Sequence, residues 1–445
     1  MKRSIHLLIF LLCYDICLAQ LPYVKTPSPG SLGNYSNIIN NNASAPTTAS
    51  PNIPGLPSNN SYTQDVREVN RRNSSLFNDE LEEASAFYAR RKKAQDLITR
   101  EFPSFEHEPG TEYFRDTYQQ ISRMLSDSIP LDLAKAVFMV ENAFYGGTMD
   151  YKDFKGAINE RAKLCRWRMQ ELKFDGKDNL AKNMVIYSLL TDTLSIRQPG
   201  TEKRITHYPI NYNLDDYMSL DNFTSHFVST LLATNSGQCY SMPLLYLLIA
   251  EEMETEAYLS YAPRHSFIRI KDEKGVWYNL ELTCRYILSD YHYMNHSYIK
   301  TEAIRSGIYL NPLGKKEVIA SMLVQLGRYY LLKHGYDPFI TRCTQLALEY
   351  DPKCVDALLL ESHYQTKLTL EIASLLEARN PEILKKISPE GYRHFEKMQA
   401  LYRKTDDLGY EETPPEIYAK WFDHVNSEKQ KAAGNPASAI RKEIR

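Results

Sequence analysis

The sequence predicts an α+β protein, in which a small antiparallel sheet is preceded by helices and followed by a helical-repeat region. Three observations support this class. Helical periodicity recurs between residues 78 and 172, two alternating strands within residues 265–282 are joined by a turn, and helical patterns punctuated by Gly and Pro return after Leu313. With 445 residues, the chain has room for two or three domains and a sizeable core.

Composition narrows the function classes. The formal net charge is −2 and the pI is about 6.6, so the chain as a whole has no attraction to nucleic acid. Because there is no Gly-rich phosphate loop, CxxC pair or HExxH motif, we predict neither a cofactor nor a metal site. His292 and His296 lie four residues apart, but the residues around them show no helical periodicity and no third ligand.

Residues 1–19 resemble a secretory signal peptide. Lys2 and Arg3 give a basic start, a mostly apolar run follows, and Cys17-Leu18-Ala19 places small side chains ahead of a cleavage point before Gln20. The apolar run is too short to span a bilayer, and no other segment is suited to do so. We therefore predict a protein exported to the periplasm or the extracellular space, with no membrane span.

Residues 20–77 are rich in Asn, Ser, Pro and Thr and show no apolar period, which predicts a disordered linker. N-terminal helices are predicted from Asn78 to residue 130, and the core domain from 131 to 313. The core begins with helices near 131–144, Asp150–Leu172 and Leu220–Leu232, the last ending in an Asn235–Gly237 turn.

Residues 314–428 are predicted to form a tetratricopeptide-like helical region, followed by a basic tail over 429–445. Leu326-Gly327, Tyr330, Ala347-Leu348 and Asp351-Pro352 resemble one such repeat, with about one residue inserted. A weaker copy starts near Val355, and a third helix pair is predicted over 389–408 and 415–425. An ordinary helical hairpin is the alternative. Such helices imply a protein partner.

Five cysteines remain outside the signal: Cys165, Cys239, Cys284, Cys343 and Cys354. Export would permit disulfides, but an odd number leaves at least one free thiol. We expect all five to be reduced, because a domain of this size does not need disulfides for its stability.

Cys239 stands where an almost wholly apolar helix begins. Pro243 is tolerated only in a first helical turn, and Leu244–Ala250 is apolar on every side, which predicts a buried central helix. The positive end of the helix dipole and the unpaired N–H groups there favour a thiolate and suit an oxyanion, with Gln238 as a further donor. The alternative is an inert buried cysteine.

His265 begins the first strand of a predicted hairpin, and Glu281 lies near the end of the second. Trp277, Asn279 and Glu281 share one face of the return strand, opposite its apolar face. A five-residue turn over 271–275 pairs His265 directly with Glu281 and places Arg269 over Trp277. Imidazole and carboxylate are then able to touch, although a surface His and a solvated Glu fit the same residues.

Together, a Cys at a helix start, a His at a strand start and an acid after a Trp resemble the bacterial transglutaminase-like superfamily, a branch of the papain-type fold. The resemblance covers residues 131–313. It implies that Cys239 is the nucleophile, that His265 is the general base and acid, and that Glu281 orients the imidazole. The family usually has Asp at this last position, and Asn279 is the alternative orienting residue.

Two functions follow from this resemblance. The first is an exported cysteine enzyme that transfers or hydrolyses amide-linked acyl groups of peptides or proteins. The second is a catalytically inactive transglutaminase-like scaffold whose C-terminal helices bind a protein. The intact Cys, His and acid set favours the enzyme, and Glu in place of Asp favours the scaffold.

Overall fold

The computed structural model describes residues 59–216, 219, 222–297 and 299–412. Predicted features in residues 1–58 and from 413 onward, which include the signal peptide, the last helix and the basic tail, lie outside the described residues. The fold is α+β, dominated by helices with small sheets. None of the described helices is both long and apolar enough to cross a membrane.

The described chain forms two compact units. One contains Ser104–Glu361 and the described residues from Leu401 onward, and the other contains the described residues up to Pro103 with Ser362–Ala400. The helices, numbered in chain order, are α1 Asn59–Arg100, α2 Thr111–Leu125, α3 Leu133–Phe144, α4 Tyr151–Leu172, α5 Asn179–Thr191, α6 Val228–Thr234, α7 Ser241–Glu252, α8 Asp290–His296, α9 Thr301–Ser306, α10 Lys315–His334, α11 Pro338–Tyr350, α12 Val355–Leu375, α13 Pro381–Ile387 and α14 Pro389–Asp407.

The strands form one four-stranded sheet and two small pairs. Strands β5 Tyr258–Ala262, β6 His265–Lys271, β7 Trp277–Glu281 and β8 Tyr286–Leu288 make an antiparallel sheet in that order. The pairs are β1 Leu194–Arg197 with β2 Arg204–His207, antiparallel, and β3 Asn211–Tyr212 with β4 Ser236–Gly237, parallel. The small antiparallel sheet that the sequence predicts is therefore present.

The predicted linker over 20–77 is wrong at its C-terminal end, because α1 begins at Asn59 and not at Asn78. Side chains from Arg67 to Lys93 are exposed, so no buried face imposes an apolar period on this part of the helix. Local ion pairs such as Arg71 with Glu68, at 3.2 Å, help to hold it. A helix without a buried face is not visible to a periodicity argument.

The helices ahead of the site largely match their predicted positions. Asp132 and Asp150 cap α3 and α4 by accepting hydrogen bonds from backbone N–H groups. The helix predicted over Leu220–Leu232 is wrong in detail, since a 3₁₀ turn at Phe223–His226 and α6 are separated by an extended Phe227. The fully buried Phe227 ring contacts the rings of Phe144, Tyr145 and Tyr329, and this packing fixes the break.

Helix α7 is the centre of the core, as predicted. Every side chain from Ser241 to Ala250 is buried, and the helix packs against α4, α5 and α6 and against strands β5 and β6. Burial on all sides explains why its sequence is apolar on all sides. The residue at the start of this helix is consequently held by packing from several directions.

The β6–β7 hairpin differs from its predicted register. Ile268 lies opposite Leu280 instead of Tyr278, a shift of two residues, and the pairing of the two strands does not extend to His265. The turn contains three residues between Asp272 and Val276, whose backbones pair at 3.0 Å, and Gly275 takes the left-handed conformation that such a loop needs. Because the shift is two residues, each side chain keeps its predicted face.

Helices α10 and α11 form the predicted helical hairpin and belong to the same compact unit as the sheet. Gly327 of α10 allows close approach, since a Cβ there would lie 3.2 Å from Cβ of Cys343. Helices α12 and α14 match the predicted starts at Val355 and Pro389. The five cysteines of the described chain are free thiols in the structure.

Glu141 of α3 is a buried acid that holds the N-terminus of α6. Its two carboxylate oxygens accept the N–H groups of Val228 and Ser229 at 2.7 and 2.9 Å. Burial raises the pKa of Glu141 to about 7, although these hydrogen bonds lower it. Since α6 leads directly to Cys239, this carboxyl supports the approach to the site.

We predict that the stability of the wild type falls relative to Glu141→Gln as pH rises from about 4.5 to 7. In that window the carboxyl of the folded protein keeps its proton, whereas the carboxyl of the unfolded protein has lost it. Each rise in pH therefore lowers the free energy of unfolding, by on the order of 3 kcal/mol over the whole window. Urea unfolding of both proteins at several pH values measures it. A difference in stability that stays constant from pH 4 to 8 would contradict this account.

Candidate active site

Cys239 lies in the turn between β4 and α7, two positions before the first residue of the helix. Asn235 ends α6 in the left-handed conformation, and Ser241 closes the turn by accepting the N–H of Gln238 at 3.0 Å. A Cβ on Gly237 would lie 2.7 Å from the Ser241 hydroxyl, so this turn needs glycine there. The sequence thus specifies a tight turn that presents Cys239 at the helix start.

His265 begins β6 directly after a two-residue turn. It pairs with Ala262 across Pro263 and Arg264, and Arg264 adopts a positive φ of 58°. The next residue, Ser266, donates its hydroxyl hydrogen to the Cys239 carbonyl at 2.7 Å. This hydrogen bond joins the strand that carries the imidazole to the turn that carries the thiol.

His265 and Glu281 form a buried pair, as the sequence predicts. Nε2 of His265 lies 2.8 and 3.0 Å from the two carboxylate oxygens of Glu281, and both side chains are 1% exposed. The shifted register makes this a diagonal pair, about 7–8 Å between Cα atoms in sheets of this kind. A Glu is one methylene longer than an Asp, and that extra length suits a diagonal reach.

The surroundings of His265 favour its charged form. Burial alone would lower the pKa of His265, but the charge of Glu281 and the interactions of the ring with Cys239 and Glu281 raise it well above its ordinary 6.5. Nε2 contacts Glu281, whereas Nδ1 is buried and has no hydrogen-bond partner of ordinary geometry among the described residues. Cys239, His265 and Glu281 thus form a series of thiol, imidazole and carboxylate in which the contact between His265 and Glu281 is a formed hydrogen bond.

Asn279, the alternative orienting residue, does not fill that role here. Its Nδ2 donates to Asp290 at 2.8 Å. Nη2 of Arg269 donates to both carboxylate oxygens of Asp290, at 2.9 and 3.0 Å. Arg269 lies over the Trp277 ring at 5.1 Å, as predicted, although it stands opposite Asn279 in the ladder. This network anchors the hairpin to α8, a helix that the sequence analysis did not predict.

Gln238 is fully buried beside the thiol, but its amide is already engaged. Nε2 donates to the Asp216 carbonyl at 2.6 Å, while Oε1 has no hydrogen-bond partner among the described residues. As an oxyanion donor, Gln238 would have to exchange this carbonyl for the substrate oxygen. The contact with Asp216 therefore does not show Gln238 in its predicted role as an oxyanion donor.

From the sequence, the Asn235–Gly237 turn is expected to leave the front of Cys239 open to substrate. This expectation is wrong for this structure, because Cys239 is 1% exposed. Strand β3 pairs with β4, and the Asn213 N–H donates to the Gly237 carbonyl at 2.9 Å, so the 211–216 segment covers the side that the turn was expected to leave open. The sequence analysis had no signal for this short parallel pair.

Ser266 is the residue at the site that the sequence analysis missed. The alternation of the strand places Ser266 on the apolar face of β6 together with Ile268 and Ile270. A hydroxyl on that apolar face was the feature of the sequence that could have identified it. Within the described ranges, no group of three His, Cys, Asp or Glu side chains is arranged to hold a metal ion. His292 and His296 do share helix α8, contrary to the absence of helical periodicity in their sequence.

Comparisons with known proteins found no matching family model, no matching curated protein and no matching solved structure.

We predict that Glu281→Gln moves the titration of His265 to lower pH. Without the carboxylate charge, burial dominates and the imidazole loses its proton more readily. NMR titration of the His265 ring in the full chain measures this, with Asn279→Ala as the matched control two residues away on the same face. An unchanged titration in Glu281→Gln, or an equal shift in Asn279→Ala, would refute the assignment.

Proposed function

We propose that this protein is a transglutaminase-like cysteine enzyme that transfers or hydrolyses amide-linked acyl groups of peptides or proteins. The buried series Cys239, His265 and Glu281 is the observation that carries the proposal. These side chains come from a turn and two strands. His265 and Glu281 are hydrogen-bonded, and Cys239 acts on the pKa of His265, which supports a role in nucleophilic acyl transfer. A small sheet packed against the helix behind the thiol supports a papain-type core.

In the proposed reaction, the Cys239 sulfur attacks the amide carbonyl carbon while His265 holds the thiol proton as imidazolium. Collapse of the tetrahedral intermediate breaks the C–N bond, and His265 gives that proton to the leaving amine. Water or a second amine then attacks the thioester and returns its proton through His265 to the sulfur. The products are an acid or a new amide together with the regenerated thiol.

Glu281 keeps the imidazole in place and stabilises its charge throughout this cycle. A carboxylate buried with the imidazolium acts in a low dielectric, where its effect is larger than in water. Tyr187 donates to the backbone carbonyl of Glu281 at 3.3 Å and so fixes the strand at this point. Tyr187 thus helps to hold His265 and Glu281 in a fixed relative position.

A catalytically inactive scaffold is the second candidate. The observation that favours it is that the Cys239 thiol is closed off from solvent. Cys239 is 1% exposed, and the Gln238 amide is hydrogen-bonded to the Asp216 carbonyl. An enzyme with this structure must open the contact between Gln238 and Asp216 before substrate reaches the sulfur. Export by the predicted signal, and protein binding by the C-terminal helices, are proposals that suit either candidate.

We predict that iodoacetamide labels Cys239 faster than the buried Cys165, Cys343 and Cys354, because burial raises the pKa of each of those three thiols. His265→Ala should slow labelling of Cys239 at least about tenfold, since the proton acceptor is gone. Peptide mass spectrometry of the full chain over time measures both rates.

Cys284→Ala serves as the control, because it removes a half-buried thiol outside the series and should leave the Cys239 rate unchanged. A Cys239 that reacts no faster than Cys343, or a rate unaffected by His265→Ala, would reject the enzyme and leave the scaffold.

A further inference from the structure

A second group of polar side chains, buried except for the half-buried Asp356, includes the sequence neighbour of Cys239. We call His226, Tyr240, Arg328 and Asp356 the Arg328 cluster. Tyr240 directly follows Cys239, and its ring centroid lies 6.5 Å from that of His226. Arg328 comes from α10 and Asp356 from the first turn of α12, so the cluster joins the nucleophile turn to the helical region.

Hydrogen bonding within the cluster is incomplete. His226 is 3% exposed, and neither ring nitrogen has a partner among the described residues. Arg328 is 6% exposed, its Nε is likewise unpaired, and its terminal nitrogens lie 3.4 Å from Gln325 and 4.0 Å from Asp356. Buried polar groups without partners destabilise a fold, so a cluster of them indicates a role beyond folding.

The charges around the cluster favour an anion. Burial and the Arg328 charge lower the pKa of His226 to about 3 against the opposing effect of Asp216, so the ring is neutral at physiological pH. Burial raises the pKa of Asp356, which makes this carboxyl easier to protonate. Asp356 lies 4.0 Å from the Arg328 guanidinium, at the long end of the range for an ion pair.

We propose that Arg328, with His226 and the Tyr240 hydroxyl, binds a carboxylate of the acyl donor beside Cys239. The unpaired Nε–H of Arg328 and one N–H of the neutral imidazole are buried donors suited to a carboxylate, and the Tyr240 hydroxyl is a further donor. The inference rests on the proposed function and narrows its substrate to peptide-like amides that carry a carboxylate near the bond that reacts.

Binding to the full-chain Cys239→Ala variant tests this site without requiring catalysis. Three probes of similar shape are compared by calorimetry: N-acetylglutamate α-amide, with a side-chain carboxylate; N-acetylglutamine, with a terminal carboxylate; and neutral N-acetylglutamine amide. We expect at least one acidic probe to bind at least tenfold more tightly than the neutral one, and to shift the His226 ring resonances. Which acidic probe binds identifies the source of the carboxylate.

Arg328→Gln in the same background should reduce acidic-probe binding to the neutral level. Arg342→Gln, which removes an exposed arginine from α11, is the matched control and should change nothing. If Arg328→Gln does not fold, Arg328→Lys keeps the positive charge but lacks the planar guanidinium donors, and it should still weaken binding of the acidic probe several-fold.

Equal binding of all three probes, or acidic-probe binding that survives replacement of Arg328, would overturn the carboxylate site. Failure of the proposed enzyme function would show in the alkylation rate of Cys239 instead. Because the binding experiment uses Cys239→Ala, the two results are independent of each other.

Discussion

The buried pair of His265 and Glu281 is the constraint on which the sheet depends. Two ionisable groups taken out of water are tolerated only when they are hydrogen-bonded to each other, and removal of one partner would leave the other charge buried alone. Strands β6 and β7 must therefore be fixed in register. The Gly275 turn, the stacking of Phe267 on Tyr293 at 4.4 Å and the Arg269–Asp290 pair each contribute to that register.

The position of Cys239 depends on the same strand and on the helix behind it. Ser266 donates a hydrogen bond to the Cys239 carbonyl, and α7 is surrounded by core, so the Cys239 backbone cannot move without disturbing both. Glu141 secures the preceding helix from α3. The site is thus preorganised by contacts from the sheet and from several helices, which is the condition that acyl-transfer chemistry places on its catalytic groups.

Helices α10 and α11 belong to the same compact unit as the sheet and Cys239. The Tyr240 hydroxyl lies 3.9 Å from the Met322 sulfur in α10, and the charge of Arg328 in the same helix acts on the pKa of Tyr240. Helix α10, whose sequence predicts part of a tetratricopeptide-like repeat, therefore also contacts the residue that follows Cys239. Gly327 of this helix is explained by its close packing against α11.

The sequence by itself determined the α+β class, the central buried helix, the helical hairpin after it, and the meeting of His265 with Glu281. These features follow from residue periodicity, from proline and glycine positions and from the alternation of strand faces, which act over short stretches of chain. Only the tertiary structure decided the two-residue register shift, the choice of Glu281 over Asn279, the covering of Cys239 and the Arg328 cluster. Each of these depends on residues far apart in sequence, because turn geometry, strand pairing between β3 and β4, and helix packing set distances that no local pattern encodes.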